Sequence, residues 1–264
     1  MPEWVKYPKG KVPQGYNADM NSATIARLRE INREFYDRFG AQFSATRQRL
    51  QPGVKKILNA LQGDESILDL GCGNGELARE LTKRGHRGAY LGVDFSRSLL
   101  REAQSIPGVS FREVDLAQLS AFRGQLIAPV ASSESAAGWA LITAFAVLQH
   151  IPSHEMRLEI LRTARQLLKE DGQFVLSNWQ FLNSEKLKAR VHPWSKVGLS
   201  AEDVDEGDYL LDWRSGGESL RYVHHFSAEE LHQLAAQAGM RVTESFPSDG
   251  ENRRLGLYQV WKSR

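Results

Sequence analysis

Between residues 66 and 178 the apolar positions fall into short continuous runs, and between those runs they recur at helical spacing. The runs predict strands near 66–70, 89–93, 110–114, 139–145 and 172–178; the spaced stretches predict helices near 76–84, 97–105 and 154–169. Strand and helix in strict alternation imply a parallel sheet with helices on both faces, an α/β fold. After a predicted helix from Ala228 to Ala238, strand-forming residues return at 240–245 and 255–262 and suggest a terminal hairpin. Ahead of the sheet, Ile25, Leu28, Ile31, Phe35 and Phe39 repeat at helical spacing, so a helix is expected to open at Ser22 and to end at Gly40. A second short helix follows Pro52, with Val54, Ile57, Leu58 and Leu61 as its apolar stripe.

Three stretches depart from this rhythm. Met1 to Asn21, rich in proline, glycine and lysine, reads as an irregular arm with Trp4, Tyr7 and Tyr16 as candidate packing anchors. The small-residue tract Ala131 to Gly138 reads as a surface loop. Trp179 to Phe226, between the fifth strand and the last helix, holds Trp179, Trp194 and Trp213. The expected organisation is an arm and helical lid over 1–62, a ligand-binding core over 63–178, a cover over 179–226, and a helix and strands over 227–264 that complete the core.

Composition narrows the class. A chain of 264 residues, 41% hydrophobic, can bury a sizeable core as one embellished domain. The longest apolar run, Trp139 to Leu148, is broken by Thr143 and falls short of the roughly 20 residues that span a bilayer. No membrane association is expected. The first residues lack the apolar core of a secretion signal, so a cytoplasmic location is expected. A single cysteine, Cys72, offers neither an internal disulfide nor a metal cluster, and no metal is expected. The net charge of +2 hides an asymmetry: residues 1–62 carry eleven Lys or Arg against five Asp or Glu. That front is either a footprint for a polyanion such as RNA or a solvated helix face. The 179–226 segment, with six basic and eight acidic residues, argues against a broad nucleic-acid surface there.

The chemistry is concentrated at Ile67-Leu68-Asp69-Leu70-Gly71-Cys72-Gly73-Asn74-Gly75-Glu76-Leu77. An apolar run ending in an acid and three alternate glycines is a strand entering a nucleoside-binding turn, because glycine lets backbone approach a ligand where a Cβ would collide. The order G-x-G-x-G differs from the dinucleotide G-x-G-x-x-G. Two further predicted strands end in acids, at Asp94 before Phe95 and at Asp115 before Leu116. Each of the three acids could equally be a cap or turn residue taken alone.

Asp69 with Gly71, Gly73 and Gly75 resembles motif I of the class I methyltransferases that use S-adenosylmethionine and release S-adenosylhomocysteine. The resemblance implies a Rossmann-like, seven-stranded, mostly parallel sheet with helices on both faces. It implies that Asp94 accepts the ribose hydroxyls and Asp115 the adenine amine, and that Asp69, Gly71, Cys72, Gly73, Gly75, Phe95, Leu116 and Phe145 line the cofactor site. Cys72 fits as a small residue better than as a nucleophile. At the crevice mouth Phe145, Gln149 and His150 follow the fourth strand. His150 could be a general base, could position the acceptor, or could be structural.

A finer resemblance rests on Tyr36 to Arg47, on Val147-Leu148-Gln149-His150-Ile151, on Gly207 to Trp213 and on Arg221-Tyr222-Val223-His224-His225-Phe226. Together they look like the tRNA wobble-uridine carboxymethyl methyltransferases, which work with a small zinc-ribbon activator. Phe43, Ser44, Thr46 and Arg47 match that family's F-S-x-T-R segment, and Arg221, Tyr222 and His224 its R-Y-x-H segment. The resemblance implies catalytic or acceptor-binding roles for Arg47, His150, Arg221, Tyr222 and His224. An arginine there could clamp a carboxylate or pair with the acidic run Glu202 to Asp208, and residues 221–224 could be the packed face of a short strand. The pattern departs at Gln149, at Asp212 and over 131–138. The expected acceptor is a carboxylate on tRNA, with a small molecule as the alternative and a non-catalytic cofactor-binding subunit as a third reading.

Overall fold

The computed structural model describes residues 20–45, 49–128, 138–214 and 217–264. Its centre is a seven-stranded sheet in the order β3-β2-β1-β4-β5-β10-β9. The strands are β1 (Ile67–Leu70), β2 (Tyr90–Asp94), β3 (Ser110–Glu113), β4 (Trp139–Phe145), β5 (Leu168–Trp179), β9 (Met240–Ser248) and β10 (Gly256–Ser263). β1 to β5 are parallel, and β10 runs antiparallel between β5 and β9. All four residues of β1 are buried, which is why it reads as a continuous apolar run: both faces are covered.

On one face Leu68, Leu70, Ile142, Phe174 and Leu176 pack with residues of α6 (His154–Leu167) and α8 (Ala228–Gln237). On the other, Ile67, Leu141, Val175 and Tyr258 pack with α2 (Pro52–Leu58) and α3 (Glu76–Lys83). Short helices α4 (Arg97–Ala103) and α5 (Leu119–Phe122) flank β3. The order reverses between β1 and β4, where a crevice opens at the carboxyl ends of parallel strands.

The segment before α8, opened by the short helix α7 (Glu185–Lys188), builds a second, antiparallel sheet. Its strands are β6 (Val191–His192), β7 (Asp208–Trp213) and β8 (Ser219–His224). The helix α1 (Ser22–Ala45) packs on this sheet and lines the crevice. Leu28 and Ile31 pack on Leu210, Tyr222 and Val204, and Phe35 and Phe39 on Trp213 and Leu99. The helix is capped by Asn21, whose Oδ1 accepts from the Thr24 amide at 2.9 Å.

Gly40 does not end α1, which continues through Ala45. It is where α1 crosses α4: a Cβ there would stand 2.8 Å from Ser98 Oγ. β5 also begins before 172, pairing Leu168 with Trp139 before the register shifts to Gln173 with Leu141. The arm residues 1–19, including Trp4, Tyr7 and Tyr16, and the tract 131–137 lie outside the described residues, as does Arg47. Among the described residues no helix is long and apolar enough to cross a membrane, and no cluster of His, Cys, Asp or Glu could hold a metal.

Candidate functional site

The crevice is a cavity of about 340 Å³ under α1. Its floor is the loop after β1. Gly71, Gly73 and Gly75 all have positive φ (70°, 54° and 78°), which explains their alternation. A Cβ on Gly71 would lie 2.5 Å from Val147 Cγ2, whereas one on Gly73 would meet nothing nearer than 4.0 Å. Gly71 and Gly73 line the cavity. Gly75 does not: it packs on α4, where its Cβ would be 2.9 Å from that of Ala103. Cys72 lines the cavity through the loop, but its side chain packs on Gly92. Burial pushes its thiol pKa up, out of the nucleophile range.

The three strand-end acids all reach the cavity, and each also holds a part of it together. Asp69 accepts from Tyr90 Oη and Thr143 Oγ1, both at 2.7 Å, and so ties β1 to both its neighbours. Burial raises its pKa to about 6, against the lowering effect of those two hydroxyls. Asp94 accepts from the Gly73 amide at 2.9 Å and the Ser96 amide at 2.8 Å, and burial raises its pKa too. Asp115 accepts from the Ala117 amide at 3.0 Å through one oxygen. Its other oxygen meets Arg29 Nη2 at 2.6 Å and Arg33 Nη2 at 3.2 Å, both from the lid. Phe95, Leu116 and Phe145 line the same space. A glycine cradle, a buried acid poised beside it at Asp94 and apolar walls fit a nucleoside-linked amino acid such as S-adenosylmethionine. Asp94 would hold the ribose, the glycine loop the amino-acid end, and Asp115 with Leu116 the base.

At the end of β4, His150 lines the cavity with its Nδ1 3.2 Å from the Tyr222 carbonyl oxygen. A carbonyl only accepts, so Nδ1 carries the proton. The Tyr36 ring stands edge-on to His150 and to Phe95, with centroids 6.0 and 5.6 Å away. Arg221 lines the cavity at 4% exposure, its guanidinium over the rings of Phe35, Trp213 and Trp179 at 4.8, 5.2 and 5.6 Å. Gln149 is buried and accepts from the Trp179 amide at 2.6 Å, joining the ends of β4 and β5.

Tyr222 and His224 correct the expectation drawn from the R-Y-x-H segment, because neither lines the cavity. They sit behind its wall in a buried ion cluster built on Arg157 of α6. Arg157, fully buried, donates from Nη2 to Asp208 Oδ1 at 3.3 Å and to Tyr222 Oη at 2.8 Å, and from Nε to the Ile151 carbonyl at 2.9 Å. Tyr222 Oη donates to Asp208 Oδ1 at 2.8 Å. The two nitrogens of His224 face Asp208 Oδ1 at 2.6 Å and Glu230 Oε1 at 2.9 Å. Burial and Arg157 push the His224 pKa down, but its two carboxylate hydrogen bonds push it up further, so the net shift is upward. Burial likewise opposes the charge on Arg157, and Tyr222, Asp208, Glu230 and Asp205 outweigh it. The arginine that engages the acidic run is therefore Arg157.

Arg29, Asn32 and Arg33 of the lid were not anticipated, nor was Arg157. Two of them had a signal: Asn32 falls on the stripe of Leu28, Phe35 and Phe39, and Arg157 on that of Leu161, Ala164 and Leu168. A polar residue in register with an apolar stripe is buried and needs a partner. Ser44 is described too, donating to Glu102 Oε2 at 2.6 Å and accepting from Asn74 Nδ2 at 2.8 Å, which pins the end of α1 to the glycine loop.

Residues 36–245 match the model of the methyltransferase domain family. A methyltransferase-named protein of Encephalitozoon cuniculi is 28% identical over 80% of this chain and 87% of its own length. The trans-aconitate 2-methyltransferase of Methylobacterium nodulans is 36% identical over 46% of this chain and 41% of its own. The tRNA (carboxymethyluridine(34)-5-O)-methyltransferase of Mus musculus is 24% identical over 55% of this chain and 19% of its own. Among solved structures, a SAM-dependent methyltransferase of Methanosarcina mazei matches with a TM-score of 0.58 at 21% identity, covering 81% of this chain and 98% of that one. The chain belongs to the methyltransferase domain family and is an S-adenosylmethionine-dependent methyltransferase with the Rossmann-like fold.

Proposed function

We propose that this methyltransferase esterifies a carboxylate, and that its acceptor is the carboxymethyl group of a modified tRNA wobble uridine. The observation that carries the reading is Arg221: a buried guanidinium within cation–π distance of three aromatic rings, on the cavity wall that His150 shares. Aromatic surroundings stabilise the buried cation, and a guanidinium's planar N–H fork matches a carboxylate bidentately. The tRNA is supported by the matched segments around Ser44 and Arg221 and by likeness to the mouse enzyme named for carboxymethyluridine. A small polycarboxylate is the second reading, supported by the 36% identity to the enzyme named for trans-aconitate.

When bound, the cofactor supplies a methyl group on a positive sulfur, open to attack from the side opposite its bond. The protein's work is orientation and exclusion of water. A carboxylate is ionised at neutral pH, so no base is required of the chain. Arg221 fixes the acceptor's plane, His150 bounds the reacting end, and Tyr36 and Trp179 line the space with apolar surface. Asp94 and the glycine loop fix the donor.

The test is transfer of radiolabelled methyl from S-adenosylmethionine to bulk tRNA and to small-molecule extract, each with and without the zinc-ribbon activator of the wobble enzymes. Label in tRNA is the expected result, and Arg221→Gln is expected to raise the acceptor KM with little change in cofactor affinity. Label only in small carboxylates transfers the reading to the second acceptor. Equal transfer by Arg221→Gln contradicts the carboxylate clamp.

A further inference from the structure

His150 is held from three sides, and the residue that closes the circuit lies on the lid. Asn32, 5% exposed on α1, donates from Nδ2 to the His150 carbonyl at 3.3 Å and accepts at Oδ1 from the Tyr222 amide at 2.9 Å. Tyr222 returns the contact, its carbonyl accepting from His150 Nδ1. On the far side of the same turn Arg157 takes the Ile151 carbonyl, and its other end holds Tyr222 Oη. One side-chain amide therefore ties together the lid, the turn after β4 and strand β8 of the small sheet.

The neighbours of Asn32 on that helix face read the other strand ends. Arg29 and Arg33 meet Asp115 after β3, and Tyr36 meets Phe95 after β2. Arg29 and Tyr36 each lie three or four residues from both Asn32 and Arg33, so the four share one face of the helix. This face of α1 thus contacts the carboxyl ends of β2, β3 and β4 at once.

We propose that Asn32 is a positioning residue. It fixes the main chain at Tyr222 and His150 so that the imidazole keeps its proton on Nδ1. The inference rests on the reading that His150 bounds the reacting end of the acceptor. Removing that side-chain amide takes Asn32's two bonds from the Tyr222 amide and the His150 carbonyl and frees the ring to adopt its other tautomer.

The test combines a spectroscopic readout with kinetics. In protein with ¹⁵N-labelled histidine, His150 is assigned from the spectrum lost in His150→Gln, and its tautomer is read with S-adenosylhomocysteine bound. The wild type is expected to show the proton on Nδ1, and Asn32→Ala a mixture of Nδ1–H and Nε2–H forms. Alanine favours the helix, so the variant should fold. Its kcat should fall at least about tenfold, since small misplacements at a reacting centre cost that much or more, while the KM for S-adenosylmethionine stays close to the wild-type value. Asn32→Ala added to His150→Ala should cost nothing more than His150→Ala alone, because the two act as one unit. A wild-type tautomer in Asn32→Ala, or fully additive losses, would overturn the inference. Wild-type turnover in His150→Ala with a disturbed tautomer in Asn32→Ala would instead remove His150 from the reaction and leave only a structural hold.

Discussion

Replacing Tyr222 with phenylalanine separates a structural tyrosine from a catalytic one. The hydroxyl is fully buried, donates to Asp208 Oδ1 at 2.8 Å and accepts from Arg157 Nη2 at 2.8 Å. Phenylalanine fills the same volume, so no cavity opens; the cost is the two hydrogen bonds to charged partners. Such bonds contribute about 1.5–3 kcal/mol each when broken singly. Arg157 and Asp208 keep their own contact at 3.3 Å and recover part of this. The net loss should be about 2–3 kcal/mol, which in a chain of this size lowers the Tm by roughly 5–10 °C. The backbone of residue 222, which serves His150 and Asn32, is untouched. Thermal unfolding and steady-state kinetics on the same preparation give both numbers, and kcat should stay within about threefold of wild type. A variant of wild-type stability that has lost turnover would refute the placement of Tyr222 in the cluster and return it to the chemistry.

Other outcomes follow from the cavity floor and from its buried acids. Asp94→Asn should weaken S-adenosylmethionine binding by at least about tenfold, the loss of one charge-assisted hydrogen bond, as read by calorimetry; an unchanged affinity would sink the ribose role. Gly71→Ala combines a φ of +70° with a 2.5 Å approach to Val147 Cγ2. It should lose about 1–3 kcal/mol of stability together with cofactor binding, and denaturant midpoints and titration test both. Cofactor affinity should also depend on pH. In the ligand-free protein burial holds Asp69 at a pKa of about 6, and a cationic ligand over the loop favours its ionised form. Affinity should therefore fall as pH drops from 7 through 6 to 5 and be flat above 7; a flat profile across pH 5–8 would show that Asp69 does not feel the ligand.

What the sequence made legible is what repeats. The sheet of β1 to β5 could be read because strands buried on both faces become apolar runs, and their terminal acids stood out against those runs. The small sheet could not, because Asp208, Arg221 and His224 are charged or titratable residues inside buried strands and break the polar alternation. Gly40 misled for a related reason: a glycine on the buried face of a long helix permits close helix crossing, and nothing local distinguishes that use from a stop. Most residues of the cavity floor were legible through backbone demands and acids at strand ends. The lid's grip on the site was missed, since Asn32 and Arg29 act through contacts with residues far along the chain.

The chemical identity of the transferred group tests the central claim most directly. After incubation with radiolabelled S-adenosylmethionine, the product should be treated with mild base and the volatile label collected as methanol. An ester on a carboxylate releases its methyl under these conditions, and release from wild-type product, with little product formed by Arg221→Gln at limiting acceptor, is the predicted result. Label that resists base, as a methyl on nitrogen, carbon or an ether oxygen would, contradicts it.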